Sequence, residues 1–438
     1  MSPPALLIAA ARSGSGKTTL ALGLMRALAR RGLRVSAIKC GPDYIDPAFH
    51  TAATGRPSLN LDSWAMSADL IQDIVQNAQE NADIIIAEGA MGLFDGAPQG
   101  ASGIGASADI AHVLGWPVLL IHDISGQAQT AAALLRGLAT HDPKLTFAGV
   151  VLNRCSSPRH LNLVSGEIAK ISLPILGVFP KDETQILPER HLGLVQAAET
   201  DNLEHRLNRL ADFVEKHINI EVLIRLSKLS KPSNAYAKSE VSYKLSPPAQ
   251  RIAIARDEAF SFLYPHVTQA WRKAGAELYF FSPLANQPPP KDCDLCWLPG
   301  GYPELHAQKL AQADLFLQGV RKFAQTRPVH GECGGFMVLG KTLTDASGAT
   351  APMLGLIELE TSFAKRKLHL GYRQARLATD HCLGKATRLL RGHEFHYATI
   401  TKEEGAPFAF VRDAYESEEK PAGLRAGHVS GSFFHVIA

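Results

Sequence analysis

The stretch AARSGSGKTT (10–19) decides the fold. A phosphate-binding loop reads Gly, four residues of any kind, then Gly-Lys-Ser/Thr. Gly16-Lys17-Thr18 stand in that register, and Ala11 occupies the first glycine position. That glycine eases the turn out of a strand, and alanine is the smallest side chain that replaces it. The flanks supply the context the motif needs. ALLIAAA (5–11) is a short apolar run, and TTLALGLMRALARRG (18–32) has an amphipathic helical period closed by Gly32. Strand, glycine-rich loop and helix in that order make an anion site at a helix N-terminus.

The same rhythm continues outward. LRVSAIKC (33–40), ADIIIAEG (82–89), PVLLIHD (117–123), FAGVVLNR (147–154) and PILGVFP (174–180) are unbroken apolar runs separated by helical stretches. Strands buried on both faces of a parallel sheet read this way, so residues 1–226 are expected to form a doubly wound α/β domain. SKLSKPSNAYAKSEVSYKLSPPAQ (227–250) is rich in Ser, Lys and Pro and reads as a linker. A second α/β domain is expected over 251–438, with strands at RIAIARD (251–257), ELYFFSP (277–283), DLCWLPGG (294–301) and RPVHGECGG (327–335). Beyond about residue 355 the pattern turns β-rich, and no internal repeat is visible.

Composition excludes several classes. Of 438 residues, 46% are hydrophobic and 20% charged, with a formal net charge of +3. Near-neutral charge argues against nucleic-acid or membrane partners. No run approaches the ~20 apolar residues of a membrane span, and the N-terminal apolar run reads as a strand, not a leader. Six scattered cysteines make no disulfide framework and fit a reducing cytoplasm.

At the nucleotide end, the backbone N–H groups of Gly14, Ser15 and Gly16 are placed to cradle phosphate. Lys17 reaches the β- and γ-phosphates and Thr18, with Thr19 beside it, opens the helix and offers a hydroxyl to Mg²⁺. Glu88 ends an apolar strand, where such folds place their ligands, and is expected with Asp46 and Thr18 at the metal. GPDYIDP (41–47) and GLFDG (92–96) bring Asp43, Asp46 and Asp95 to the same sheet edge as a metal and substrate site. Asn153-Arg154, after another strand, is placed to read an adenine edge.

The second domain carries GECGG (331–335), a nucleophile-elbow pattern with Cys333 at its apex between a strand and a helix. The helix N-terminus is expected to lower the thiol pKa. The glycine pair of PGGY (299–302), Gly300 and Gly301, together with Gly334, offers oxyanion donors. His393, His396 and His435 are the histidines to weigh as base. Cys293-x-x-Cys296 has no second pair at ligand spacing and reads as packing.

These motifs together resemble the cobyrinic/hydrogenobyrinic acid a,c-diamide synthases, glutamine-dependent amidases of corrinoid biosynthesis. The resemblance spans nearly the whole chain: KCGPDYIDPAFH (39–50), AEGAMGLFDG (87–96), LPERHLGLVQA (187–197), LPGGYPE (298–304), GECGGFMVLG (331–340), GHEFHY (392–397) and SGSFFH (430–435). It implies a dethiobiotin-synthetase-like domain followed by a class I glutamine amidotransferase domain. It further implies ATP with Mg²⁺, L-glutamine and a corrin polycarboxylate as small-molecule partners, and it leaves the oligomeric state open, a homodimer included. Cys333 would be the nucleophile, His435 its base, and Asp43, Tyr44, Asp95, Arg190 and His191 would form the substrate side. One departure stands out: class I amidotransferases carry His-x-Glu, and here His435 is followed by Val436-Ile437. A cobyric acid synthase is the alternative within the ligases. A partition-type ATPase switch is the alternative outside them, but it has Lys where Arg12 stands and leaves Cys333 without a role.

Overall fold

The computed structural model describes residues 2–182, 189–190, 193–194, 196–230, 245–415 and 418–438. They divide into two compact units, Met1–Tyr243 and Lys244–Ala438.

In the first unit seven strands form one parallel sheet: β1 (Ala5–Ala10), β2 (Val35–Cys40), β3 (Leu59–Leu61), β4 (Ile84–Glu88), β5 (Val118–Asp123), β6 (Phe147–Cys155) and β7 (Ile175–Pro180). Their order is β3-β2-β4-β1-β5-β6-β7. Every residue of β1, β2, β4 and β5 is buried, which is why they read as unbroken apolar runs. The crossovers carry α1 (Lys17–Arg30), α2 (Asp46–Thr54), α3 (Ala68–Gln79), α4 (Ser107–Leu114), α5 (Thr130–His141) and α6 (Pro158–Ile168). Beyond β7 come a two-residue ladder, β8 (Glu189–Arg190) with β9 (Gly193–Leu194), then α7 (Leu203–His217) and α8 (Ile220–Ser227). Strand β3 was not expected from the sequence; three residues are too few to show a period.

Helix α7 lies along α1, tied at the rim by Arg26–Glu204, Arg30–Asp212 and Arg31–Glu215 ion pairs. Those exposed pairs contribute little; the close approach of the helices rests on Gly23. A Cβ there would meet Val214 Cγ2 at 2.5 Å and Leu210 O at 2.6 Å.

The second unit opens with parallel strands β10 (Arg251–Ala255), β11 (Glu277–Phe281), β12 (Leu295–Leu298) and β13 (Val329–Glu332). Between them lie α9 (Pro265–Lys273), α10 (Ala307–Ala311) and α11 (Asp314–Ala324), and after β13 comes α12 (Gly334–Leu339). The rest is β-rich: β14 (Thr342–Thr344), β15 (Thr350–Pro352), β16 (Glu358–Ser362), β17 (His369–Leu377), β18 (Leu389–His396), β19 (Thr399–Glu404), β20 (Ala406–Asp413), β21 (Lys420–Ala426), β22 (Val429–Ser432) and β23 (His435–Val436). The main sheet runs β11-β10-β12-β13-β22-β21-β20-β17-β18-β23, and β15-β14-β16-β19 form a second, four-stranded sheet. The main sheet is parallel as far as β22 and antiparallel beyond it. Helix α12 approaches the sheet so closely that a Cβ on Gly335 would collide with Leu298 O. That contact seats the turn that ends β13.

Gly23→Val should destabilise the first unit by roughly 1–3 kcal/mol, as overpacking does. Thermal melting would register this as a fall of about 2–4 °C per kcal/mol.

Candidate active sites

The first site forms where β1, β2 and β4 end. Gly14 and Gly16 take left-handed backbone angles, φ 74° and 101°, and the loop closes with Ser15 Oγ donating to Arg12 O. Lys17 Nζ donates to Met91 O at 2.6 Å and to Arg12 O at 3.2 Å. Burial, then the charge of Lys39, lowers its pKa to about 8. Thr18 donates its hydroxyl to Glu88 Oε1 at 2.7 Å, and Thr19 stands half-buried in the first turn of α1.

Glu88 is fully buried, and an unpartnered carboxylate there would be severely destabilising. Three groups meet it. Besides Thr18, Lys39 Nζ lies 3.0 Å from Oε1 and also pairs with Asp46 Oδ2. His50 Nε2 lies 2.7 Å from Glu88 Oε2, and His50 Nδ1 is 3.2 Å from Ser58 Oγ. An ionised Glu88 accepts a hydrogen bond from the proton carried on His50 Nε2. Burial alone would raise the Glu88 carboxyl, but Lys39 and His50 outweigh it and hold it well below the carboxylate range. Burial would likewise lower the Lys39 ammonium, and the charges of Asp46 and Glu88 hold it above its ordinary value.

Lys39 and His50 had no role assigned from the sequence. The signal was a lysine at the end of an otherwise uncharged buried strand. Strand β2 pairs with β4 in the register Lys39↔Glu88, so the two charges sit side by side.

Thr18 and Glu88 offer hard oxygen donors beside Lys17, while Asp46 is committed to Lys39. Among the described residues no group of three or more His, Cys, Asp or Glu gathers to cage a metal. A hydroxyl and one carboxylate fit Mg²⁺, which takes few protein ligands and shares the phosphates of its substrate.

The other expected residues have local partners. Asp43 accepts from the N–H groups of Ile45 and Asp46 and so shapes the turn into α2. Tyr44 is half-buried in that turn. Asp95 accepts from Gly92 N–H at 2.8 Å. Asn153 donates to Ser15 O at 2.9 Å and braces the phosphate loop. Arg154, at φ 59°, joins Arg12 on the buried Asp123, at 2.7 and 3.2 Å. Of Arg190 only the backbone in β8 is described, and His191 lies outside the described residues.

The second site surrounds Cys333, whose φ 45° and ψ −100° are strained for a residue with a side chain. Cys333 N–H donates to Ser432 O, and its carbonyl accepts from Met337 N–H, so β22 and α12 clamp the turn. A Cβ on Gly334 would meet Gly301 N at 3.0 Å, and one on Gly300 would meet His435 Cε1 at 2.5 Å. The Cys333 turn and His435 therefore adjoin neighbouring residues of one glycine-rich loop.

The expected lowering of the thiol pKa is not what the structure gives. Cys333 is 3% exposed; burial, then the nearby Glu304 charge, pushes the thiol up, and the pull of Gly334 N–H is weaker. The group therefore rests as a thiol and needs a base. His435 is buried, and burial followed by the neighbouring His393 keeps it well below the ordinary imidazole value. It is neutral and able to accept a proton. His396 instead stacks on Phe433, ring centroids 3.7 Å apart. Cys293 and Cys296 are buried in the core of this unit.

Two sites of this kind match two known domain families in order. Residues 6–195 match the CobQ/CobB/MinD/ParA nucleotide binding domain, and residues 251–438 match the CobB/CobQ-like glutamine amidotransferase domain. The whole chain is 54% identical over 440 residues to the hydrogenobyrinate a,c-diamide synthase of Mesorhizobium japonicum, covering 100% of this chain and 99% of the relative. Identity is 52% over 440 residues to that of Agrobacterium fabrum and 53% over 437 residues to that of Rhodobacter capsulatus, with the same coverage. The chain belongs to the hydrogenobyrinate a,c-diamide synthase family.

As a member of that family the chain is an amidating ligase, with a nucleotide-using domain and a glutamine amidotransferase domain. The diamide synthase fold contains, among the described residues, no helix long and apolar enough to cross a membrane.

Lys39→Met would leave Glu88 and Asp46 buried without their cation. Losing one partner of a buried pair costs about 3–5 kcal/mol, so the nucleotide-free variant should melt well below the parent and turn over no ATP.

Proposed function

We propose that the chain uses ATP and L-glutamine to convert the a and c side-chain carboxylates of hydrogenobyrinic acid to amides, in the pathway to cobalamin. The observation that carries this reading is the pairing, in one chain, of the Lys17–Thr18–Glu88 site with the strained Cys333 elbow. Full-length identity above 50% to curated hydrogenobyrinate a,c-diamide synthases supports the metal-free macrocycle as substrate.

In the amidotransferase half, His435 takes the Cys333 thiol proton and Sγ attacks the side-chain amide carbon of glutamine. N–H groups of the glycine pair Gly300-Gly301 and of Gly334 face the oxyanion. The proton returns to the departing nitrogen, ammonia leaves, and water hydrolyses the γ-glutamyl thioester to glutamate. In the nucleotide half, a corrin carboxylate oxygen attacks the γ-phosphorus of ATP and ADP departs. Ammonia then attacks the acyl phosphate carbon and inorganic phosphate leaves. A carboxylate is a poor acyl donor, and phosphorylation supplies its leaving group.

Gly14, Ser15, Gly16, Lys17 and Thr19 hold the phosphates. Lys17, whose pKa lies at about 8, binds them as the ammonium form. Mg²⁺, held by Thr18 and Glu88, would supply positive charge on the phosphate oxygens when bound. Arg154 and Asn153 border the nucleotide end, where Asn153 keeps the loop in shape. Asp43, Tyr44, Asp95, Arg190 and His191 are proposed for the corrin side, a guanidinium at Arg190 matching substrate carboxylates.

Cys333→Ala should abolish amidation driven by glutamine but not amidation driven by ammonium, whereas Lys17→Met should abolish both. Mass spectrometry of the corrinoid product, with each nitrogen donor in turn, reads the gain of two amides. ATP hydrolysis that proceeds equally well without any corrinoid would overturn the proposal.

A further inference from the structure

Class I amidotransferases orient the base with a carboxylate two residues beyond it, and that position here is the buried, apolar Ile437. We propose that His393 is the positioning residue for His435, holding the base by a stacked ring. The inference rests on the amidotransferase reading above.

Strands β18 and β23 pair antiparallel with His393 directly opposite His435, so both side chains leave the same face of the sheet. Their ring centroids lie 4.9 Å apart with an interplanar angle of 14°. Both residues are at most 2% exposed. His435 also abuts Gly300, where no larger residue would fit. His393 is itself seated: its Nδ1 lies 3.4 Å from Tyr264 Oη. Next to Tyr264, the ring of His266 sends Nε2 to Ile437 O at 3.1 Å. The backbone of the base is fixed from the nucleophile's own strand, since Glu332 Oε1 accepts from Val436 N–H at 3.0 Å.

A stack sets the plane of the imidazole without adding negative charge. Around His435 stand His393 and His396 from β18 and, through Val436, Glu332 from β13; Arg373 on β17 acts on His393, and Glu304 acts on Cys333. Burial, followed by the neighbouring His393, keeps His435 below the ordinary imidazole value. In the step itself the S–H bond of Cys333 breaks, an N–H bond forms on His435, and that proton passes to the departing amide nitrogen.

The test compares His393→Ala, His393→Leu and His393→Phe with the parent, reading glutamate release from glutamine across pH. Ala and Leu remove the planar face and should lower kcat about 10–100-fold, the usual loss for a group that orients a reacting one, with KM for glutamine unchanged. Phe keeps a planar face and should stay within about threefold. In the Ala variant, where water enters, the acid limb of kcat/KM should move up toward the ordinary imidazole pKa. Ammonium-driven amidation, which bypasses this site, checks that the rest of the chain is intact. Parent-like kcat and acid limb in Ala and Leu, or a loss in Phe as large as in Ala, would overturn the inference. A parent enzyme that releases no glutamate would overturn the amidotransferase reading and this inference with it.

Discussion

A full negative charge sits on Glu88, at a point with no solvent exposure, and much of the first unit is arranged to compensate it. Its three partners come from three different elements: Thr18 from α1, Lys39 from β2 and His50 from α2. Holding that carboxylate therefore fixes the phosphate loop, the end of the second strand and the following helix relative to one another. It also keeps a negative oxygen beside Thr18, where a phosphate-bound cation needs one. The same contacts serve stability and chemistry, because a buried ion is tolerable only where it is fully partnered.

The second unit solves the opposite problem. Burial keeps Cys333 as a thiol and His435 as a neutral imidazole, and strain in the backbone stands where charge stood in the first unit. A residue held at φ 45° costs of order 1–3 kcal/mol, and hydrogen bonds to β22 and α12 keep it there. The thiol is not activated in advance by the helix N-terminus, since α12 is short and the surrounding burial is the larger effect. Burial, then the neighbouring His393, keeps His435 below the ordinary imidazole value.

Much of this was legible in the sequence. Six of the seven strands of the first sheet were visible because each reads as an apolar run, and β1, β2, β4 and β5 are buried on both faces. GSGKTT and GECGG were legible because each places its chemistry within a few residues, on a turn whose geometry those residues set. Strand β3 was too short to show. Nor did the sequence show that the Asn153 amide holds Ser15 O, a contact spanning 138 residues of chain.

What the sequence determined by itself was the order of the two domains, the phosphate loop and the sharp turn at Cys333. Local backbone chemistry and hydrophobic period are properties of contiguous residues. What only the tertiary structure decided was which groups compensate the buried ones. Lys39 reaches Glu88 because β2 lies against β4, and His393 reaches His435 because β18 lies against β23. Sheet order sets those neighbours, and it emerges from packing over the whole domain instead of from any single stretch of residues.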